Sequence, residues 1–265
     1  MTAIALTIAG SDSSGGAGLQ ADLKTFSALG VYGASVVTAI TAQNTRGVQA
    51  VHNIQTAMIT AQMDSVFNDL TVGAVKIGML STAEIIETVA ASLLRHKAQK
   101  IVLDPVMVAT SGDLLLDPGA VGVLCKDLLP LATITTPNLP EAARMLTTSV
   151  AQTQDEMIAQ AKALRTLGAR AVLLKGGHGS GAECTDILAT EEGIEIFTAP
   201  RIITRNSHGT GCTLAAAIAA QLALGLNLRD AVAAAKSYVT SAIGKADTLL
   251  IGHGSGPVHH FHAIW

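Results

Sequence analysis

A chain of 265 residues is long enough to bury a sizeable core, as one large α/β domain or two small ones. Aromatic residues make up 3% and charged residues 14%, so the core must be aliphatic, with helices packed closely on a sheet. A formal charge of −3 offers nothing to a polyanionic duplex and argues against nucleic acid as a partner.

Residues 3–9 form an apolar run that breaks at Gly10-Ser-Asp-Ser-Ser-Gly-Gly-Ala-Gly18, after which Leu19, Leu23, Phe26 and Leu29 recur at helical spacing. The pattern predicts strand, loop and helix. A P-loop needs Lys and then Ser or Thr after its last glycine, whereas Gly15 is followed by Gly16. Gly10, Gly15, Gly16 and Gly18 also lack the spacing of a dinucleotide fingerprint. Locally, Asp12 reads as a turn residue and Asp22 as an exposed acid in the first helical turn, favourable to the helix dipole.

A second β-rich run covers residues 31–41, and Gln43 just beyond it is either a ligand contact at the strand's carboxyl end or an ordinary loop residue. The spacing then predicts a helix over 56–68, a strand over 74–77 and a helix over 82–96; Met79 between the last two reads as core. A strand over 100–103 ends at Asp104-Pro-Val-Met107. An acid at the carboxyl end of a buried parallel strand is placed for a metal or substrate in the sheet's crevice.

A strand over 132–136 leads into Pro137-Asn-Leu-Pro-Glu141 and the helix this opens. Asn138 and Glu141 match a capping box that needs no further function. Beside Asp104 they would equally make an oxygen-rich shell for Mg2+, which takes few carboxylates together with waters and phosphates. A helix over 154–167 precedes a strand over 171–174 and Lys175-Gly-Gly-His-Gly179, where Lys175 suits a phosphate contact or is simply solvated and His178 serves the turn. Residues 187–189 and 194–198 alternate around Glu191-Glu-Gly193, a hairpin signal.

Residues 197–204 are β-type and run into Asn206-Ser-His-Gly-Thr-Gly-Cys-Thr213 and an apolar helix that continues to about Leu224. This predicts a strand, a tight turn and a helix N-terminus, where unpaired N–H groups and roughly half a positive charge favour an anion. The same field is expected to lower the pKa of the Cys212 thiol. The alternative is a glycine connection capped by Thr210, with an inert buried cysteine. Gln221 and Gly225 leave that helix short of the ~18 clean residues a membrane span needs, so it reads as buried.

The last long helix covers 228–243, and the tail Gly252-His-Gly-Ser-Gly-Pro-Val-His-His-Phe-His262 reads as structural, its spacing unlike a finger or helical metal set. Three scattered cysteines and an N-terminus without signal features predict a reducing cytoplasm. The repeated alternation, with no linker, predicts one doubly wound α/β domain over 1–265 with ligands at the carboxyl ends of its strands.

Gly10 to Asp22, Lys76-Ile-Gly-Met-Leu80, Leu103-Asp-Pro-Val-Met107, Thr136-Pro-Asn-Leu-Pro-Glu141, Lys175-Gly-Gly-His178 and His208-Gly-Thr-Gly-Cys-Thr213 stand in one order. In that order they resemble the hydroxymethylpyrimidine/phosphomethylpyrimidine kinases of thiamine biosynthesis, a vitamin-kinase branch of the ribokinase-like superfamily. The resemblance spans nearly the whole chain. It implies a ribokinase-like, doubly wound, mostly parallel sheet flanked by helices, with a small β flap. It also implies phosphorylation of 4-amino-5-hydroxymethyl-2-methylpyrimidine and then of its monophosphate, with ATP as donor and Mg2+ as cofactor, by a cytoplasmic homodimer with no nucleic-acid or membrane partner.

Residue by residue, Gln43 and Asp22 correspond to substrate contacts and Gly10, Met79 and Val106 to the pocket around the pyrimidine. Asp104 and Glu141 resemble the Mg2+ region, and Asn138, Glu141 and Thr210 the nucleotide and phosphate contacts. Lys175 resembles a contact to the transferring phosphoryl group, and Gly209 and Gly211 the anion hole. Cys212 takes the place of the aspartate base of sugar kinases in the superfamily. Ser13 and Ser207 depart from the family's usual Pro and Thr without touching a chemical group. A pyridoxal kinase on the same scaffold is the alternative. An NAD-dependent enzyme is disfavoured by the missing fingerprint, and a non-catalytic nucleotide-binding regulator by the convergence of Asp104, Asn138, Glu141 and Lys175.

Overall fold

A computed structural model describes residues 2–109, 112–177 and 181–265, so His178 lies outside the described residues. Strand β1 (Ile4–Ala9) has β2 (Tyr32–Val37) on one side and β5 (Ala74–Ile77) on the other. Beyond β5 follow β6 (Ile101–Leu103), β7 (Ile134–Thr135), β8 (Val172–Leu174), β9 (Glu183–Ala189) and β10 (Ile194–Pro200). Neighbours in this eight-stranded sheet are parallel except at β9, which is antiparallel to both β8 and β10.

Continuous apolar runs such as Ile101–Leu103 and Val172–Leu174 are what a strand covered on both faces requires. Helices α1 (Gly18–Ala28), α7 (Thr210–Ala223) and α8 (Leu228–Gly244) pack on one face. The other carries α2 (Thr56–Asp69), α3 (Ala83–Arg95), α5 (Leu139–Leu146) and α6 (Gln154–Thr166). Helix α7 buries every residue from Thr213 to Ala220, and its alanines let it lie close on β1, β5 and β6. It is the buried helix the sequence predicts. Among the described residues no helix is long and apolar enough to cross a membrane.

The chain lays β2 on one side of β1 and then crosses to place β5 on the other. The loops leaving β1 and β5 therefore diverge, and a crevice opens at the carboxyl ends of the strands. Gly10, Asp104, Asn138 and Lys175 all follow strand ends on that rim.

Two stretches differ from the pattern-based expectation, and a third, between β6 and β7, carries none. The run over 31–41 breaks at Thr38, whose N–H donates to Ala9 O at 3.0 Å and whose Oγ1 donates to Met79 O at 2.9 Å. Beyond the break, β3 (Ala39–Asn44) pairs antiparallel with β4 (Gly47–Asn53) in a separate two-stranded sheet, the flap. No residue of β4 is buried, so it carries no alternation for the sequence to show.

The predicted strand over 197–204 stops at Pro200, and residues 201–208 form an irregular connection. Side chains hold it instead of a ladder: the Arg201 guanidinium donates to the carbonyls of Gly177, Gly181 and Glu183. Between β6 and β7 the chain winds through short helical turns, Pro118–Ala120, α4 (Val121–Val123), Leu124–Leu128 and Leu129–Leu131. Pro118, Gly119, Gly122 and Pro130 keep them short.

Candidate active site

A cavity of about 750 Å3 occupies the crevice. Its floor is the N-terminus of α7, capped by Gly209 in the left-handed conformation, φ 79°. A Cβ on Gly209 would lie 1.9 Å from Gly16 O, and one on Gly16 would lie 2.5 Å from the His208 ring. The two glycine-rich segments thus interlock, with backbone where side chains would otherwise stand. Thr210 is the first residue inside the helix, and its Oγ1 donates to Ser207 O at 2.7 Å, so it braces the turn without capping it. A Cβ on Gly211 would lie 3.2 Å from Lys175 Nζ, which brings that ammonium against the free N–H groups of the turn.

Lys175 Nζ pairs with Asp104 Oδ1 at 2.9 Å, and Thr136 Oγ1 donates to the same oxygen at 3.1 Å. The Lys175 N–H donates to Pro137 O at 2.9 Å, which aligns the ends of β7 and β8. Asn138 and Glu141 form the predicted capping box: Asn138 Oδ1 accepts from the Glu141 N–H at 2.9 Å and Glu141 Oε2 from the Asn138 N–H at 2.7 Å. Both also line the cavity, so the cap and the ligand-facing wall are one device. Burial pushes the Glu141 carboxyl up to about 7, opposed by Lys175 and assisted by Asp104. Burial alone would depress the Lys175 ammonium, but Asp104 and Glu141 raise its pKa above the ordinary lysine value. It is not the solvated lysine of the alternative reading.

Cys212 opens onto the cavity from the first turn of α7. The expectation of an acidic thiol is corrected: burial pushes it up to about 11, against Lys76 and a hydrogen bond from the Gly18 N–H, with Asp22 and Asp104 adding to the rise. Desolvation first, with two nearby carboxylates, sets the upward direction.

Gly10, Gln43, Met79 and Val106 line the same cavity, as the resemblance implies. Met79 Sδ would lie 3.0 Å from a Cβ on Gly10, so position 10 cannot carry a side chain without moving it. The Gln43 backbone is tied both ways to Ser13 Oγ at 2.8 Å, and its Nε2 stands 3.5 Å from His208 Nε2. Asp22 is a second correction. It is fully buried, neither an exposed first-turn acid nor a residue of the cavity wall. Its Oδ2 accepts from Lys76 Nζ at 2.8 Å and Thr7 Oγ1 at 2.6 Å, while Oδ1 has no partner among the described residues. Burial would lower the pKa of Lys76, but Asp22, Cys212 and Asp104 raise it and hold the ammonium charged.

The residue-level reading missed the Lys76–Asp22 and Asp12–His208 pairs. Asp12 does organise its turn, accepting from the N–H groups of Ser14, Gly16 and Ala17, and its Oδ2 also meets His208 Nε2 at 2.8 Å. Burial opposes the ionised form, yet His208 and Ser14 hold the carboxyl down at about 2. A separation of 196 positions leaves no local signal for this pair. Also missed were Ala199, Pro200 and Ile202 and, on α8, Val239, Thr240 and Ile243, which all line the cavity. Lys236 pairs there with Asp186 at 2.7 Å.

Among the described residues no three His, Cys, Asp or Glu side chains are grouped to hold a metal. Asp104 and Glu141 remain a pair of carboxylates, which fits an ion that completes its shell with phosphate and water oxygens. In the tail, His260 Nε2 lies 3.1 Å from Thr213 Oγ1, and burial pushes its pKa down to about 3, in keeping with a structural part.

Residues 12–259 match the family described as phosphomethylpyrimidine kinase. The chain belongs to this family. It is 60% identical to the hydroxymethylpyrimidine/phosphomethylpyrimidine kinase of Rhizobium meliloti (strain 1021), over 100% of this chain and 99% of that protein. A solved phosphomethylpyrimidine kinase from Clostridium difficile 630 is 46% identical, with a TM-score of 0.81 over 91% of this chain and 99% of that one. A pyridoxal kinase from Bacillus subtilis, solved as an ADP complex, is 39% identical, with a TM-score of 0.92 over 99% of each chain. Membership makes the protein a kinase, and the expected sheet, flanking helices and flap are those of the family's structures.

Proposed function

We propose that the protein phosphorylates 4-amino-5-hydroxymethyl-2-methylpyrimidine and then its monophosphate, with ATP as donor, in thiamine biosynthesis. The observation that carries this reading is one cavity lined both by Gln43, Met79 and Val106 and by residues of α8, together with Lys175, Asp104 and the turn before α7. The Gln43 amide can match the donor and acceptor edge of an aminopyrimidine, while Met79 and Val106 hold its faces. The apolar strip from Ala199 to Ile202 and α8 suits a nucleotide base. A single cationic domain wall between two ligands is what phosphoryl transfer needs.

The transition state is loose, so positioning and charge stabilisation contribute more than proton removal. Lys175 and the N–H groups at Gly209 and Gly211 would bind the charge spread over the transferring phosphoryl oxygens, the Thr210 N–H being donated to Ser207 O. Asp104 and Glu141 would hold Mg2+, which supplies further neutralisation of phosphate charge. Cys212, a thiol at neutral pH, would orient the acceptor hydroxyl by hydrogen bonding, and the hydroxyl proton would leave late to a phosphoryl oxygen of the product. No ionised base then stands where sugar kinases of the superfamily carry aspartate, and a loose transition state tolerates that. A homodimer in the cytoplasm, with residues 1–265 as one domain, completes the reading.

The test is release of ADP from ATP, Mg2+ and the hydroxymethylpyrimidine, with mass spectrometry of the products. Monophosphate followed by diphosphate supports both steps in one site. Pyridoxal is assayed in parallel, because the Bacillus subtilis pyridoxal kinase fits the fold so closely; turnover of pyridoxal alone would replace the acceptor and keep the chemistry.

A further inference from the structure

The tail segment Gly252-His-Gly-Ser-Gly-Pro257 takes no part in that chemistry, yet it runs between two functional loops. On the flap, Thr45 Oγ1 accepts from the N–H groups of His253 at 3.2 Å and Gly254 at 3.1 Å, and Thr45 O accepts from the Ser255 N–H at 2.8 Å. On the side of the α7 turn, the Gly256 N–H donates to Asn206 Oδ1 at 3.1 Å and the His208 N–H donates to Gly256 O at 3.0 Å. Ser255 Oγ donates to Arg205 O at 3.0 Å.

The alternate glycines are required by those same contacts. A Cβ on Gly252 would lie 2.3 Å from Thr45 Oγ1, one on Gly254 2.0 Å from Thr45 O, and one on Gly256 2.2 Å from Asn206 Oδ1. Thr45 stands two positions after Gln43, and His208 immediately precedes Gly209. The flap is a lone two-stranded sheet, an arrangement of marginal stability in itself. Its other ties include Ser13 to Gln43, Ser11 to Thr41 and Asp113 to Val48.

We propose that residues 252–257 are a positioning strap that fixes Gln43 relative to the turn at Gly209, with Thr45 as its positioning residue. The inference rests on reading Gln43 as the acceptor contact. A loosened strap should cost acceptor binding selectively, because among the described residues its hydrogen bonds go to Thr45 of the flap and to Arg205, Asn206 and His208, and none goes to α8.

Thr45→Val removes the shared acceptor and keeps the shape. It is expected to raise KM for the hydroxymethylpyrimidine about tenfold, leaving KM for ATP within about twofold. Thr45→Ser, which keeps the hydroxyl, should return the acceptor KM to within about twofold of the native protein. Amide hydrogen exchange should quicken across residues 39–53 in Thr45→Val and in Gly254→Ala. An unchanged acceptor KM with unchanged flap exchange overturns the strap, as does an equal rise in both KM values. If the native protein does not turn over the pyrimidine, the functional reading fails on its own, and the exchange measurement still decides the strap.

Discussion

Two lysine–aspartate pairs share almost the same contact and differ in everything else. Lys76–Asp22 closes at 2.8 Å with both side chains at 0% exposure, while Lys175–Asp104 closes at 2.9 Å with 13% and 3%. Lys76 lies within β5 beneath the helix layer, where Thr7 completes the shell on the same Asp22 oxygen. Lys175 stands past the end of β8, with Asp104 Oδ2 and its own Nζ both close to Gly211. Separation alone therefore says little about role. In the sealed pair the charges are spent on each other; in the open pair the cation also faces a space where an anion can enter. The sealed pair still acts at a distance, since Lys76 and Asp22 pull the Cys212 thiol in opposite directions from below.

This contrast breaks most sharply at Lys76. Lys76→Ala would strand Asp22 as a buried, unpaired charge and should cost about 3–5 kcal/mol of stability, read by urea unfolding. Lys76→Met with Asp22→Leu should recover most of that loss, because apolar groups of similar size need no compensation. A stable single variant would show the pair to be solvated and the contrast false. Lys175→Ala should do the reverse. Its fold should hold, since both groups line the cavity and truncating Lys175 opens the buried Asp104 to it, while kcat falls by about 10²–10³ as for the loss of one charge-stabilising donor. A large drop in melting temperature with little loss of kcat would make Lys175 another structural cation.

The difference between these pairs also marks how far the sequence could be read. Continuous apolar strands and 3.6-periodic helices place Asp104 and Lys175 at strand ends, because strand ends are local events. Asp22 and Lys76 are 54 positions apart, and nothing local in either shows that Asp22, on a helix packed against β1 and β2, reaches Lys76 on β5. The same limit hides Asp12 with His208. The end of β10 was misjudged because Ile202 and Ile203 look β-like, whereas Pro200 ends the ladder and Arg201 fastens the chain elsewhere. Strand β4 was silent because none of its residues is buried. For Cys212 the helix field was legible and the burial was not, so the direction of its shift came out reversed.

The Asp12–His208 pair, at 2% and 9% exposure, lies between the two extremes and gives the smallest effect. Its carboxyl is held at about 2 against an ordinary 3.8, so the stabilisation is complete above about pH 4 and is lost as pH falls toward 2. A shift of that size corresponds to at most about 2.5 kcal/mol. Asp12→Asn should therefore be less stable than the native protein near pH 6, with the gap nearly unchanged at pH 4 and narrowing in urea titrations at about pH 3 and below. Other carboxylates titrate in both proteins, so the difference between the two curves is the quantity that counts. A gap that stays constant with pH would mean that Asp12 acts through the neutral geometry of its turn, accepting from Ser14, Gly16 and Ala17, and not through its charge. The pair would then belong with the backbone interlock of Gly16 and Gly209, and charge in the cavity wall would be left to Lys175, Asp104 and Glu141.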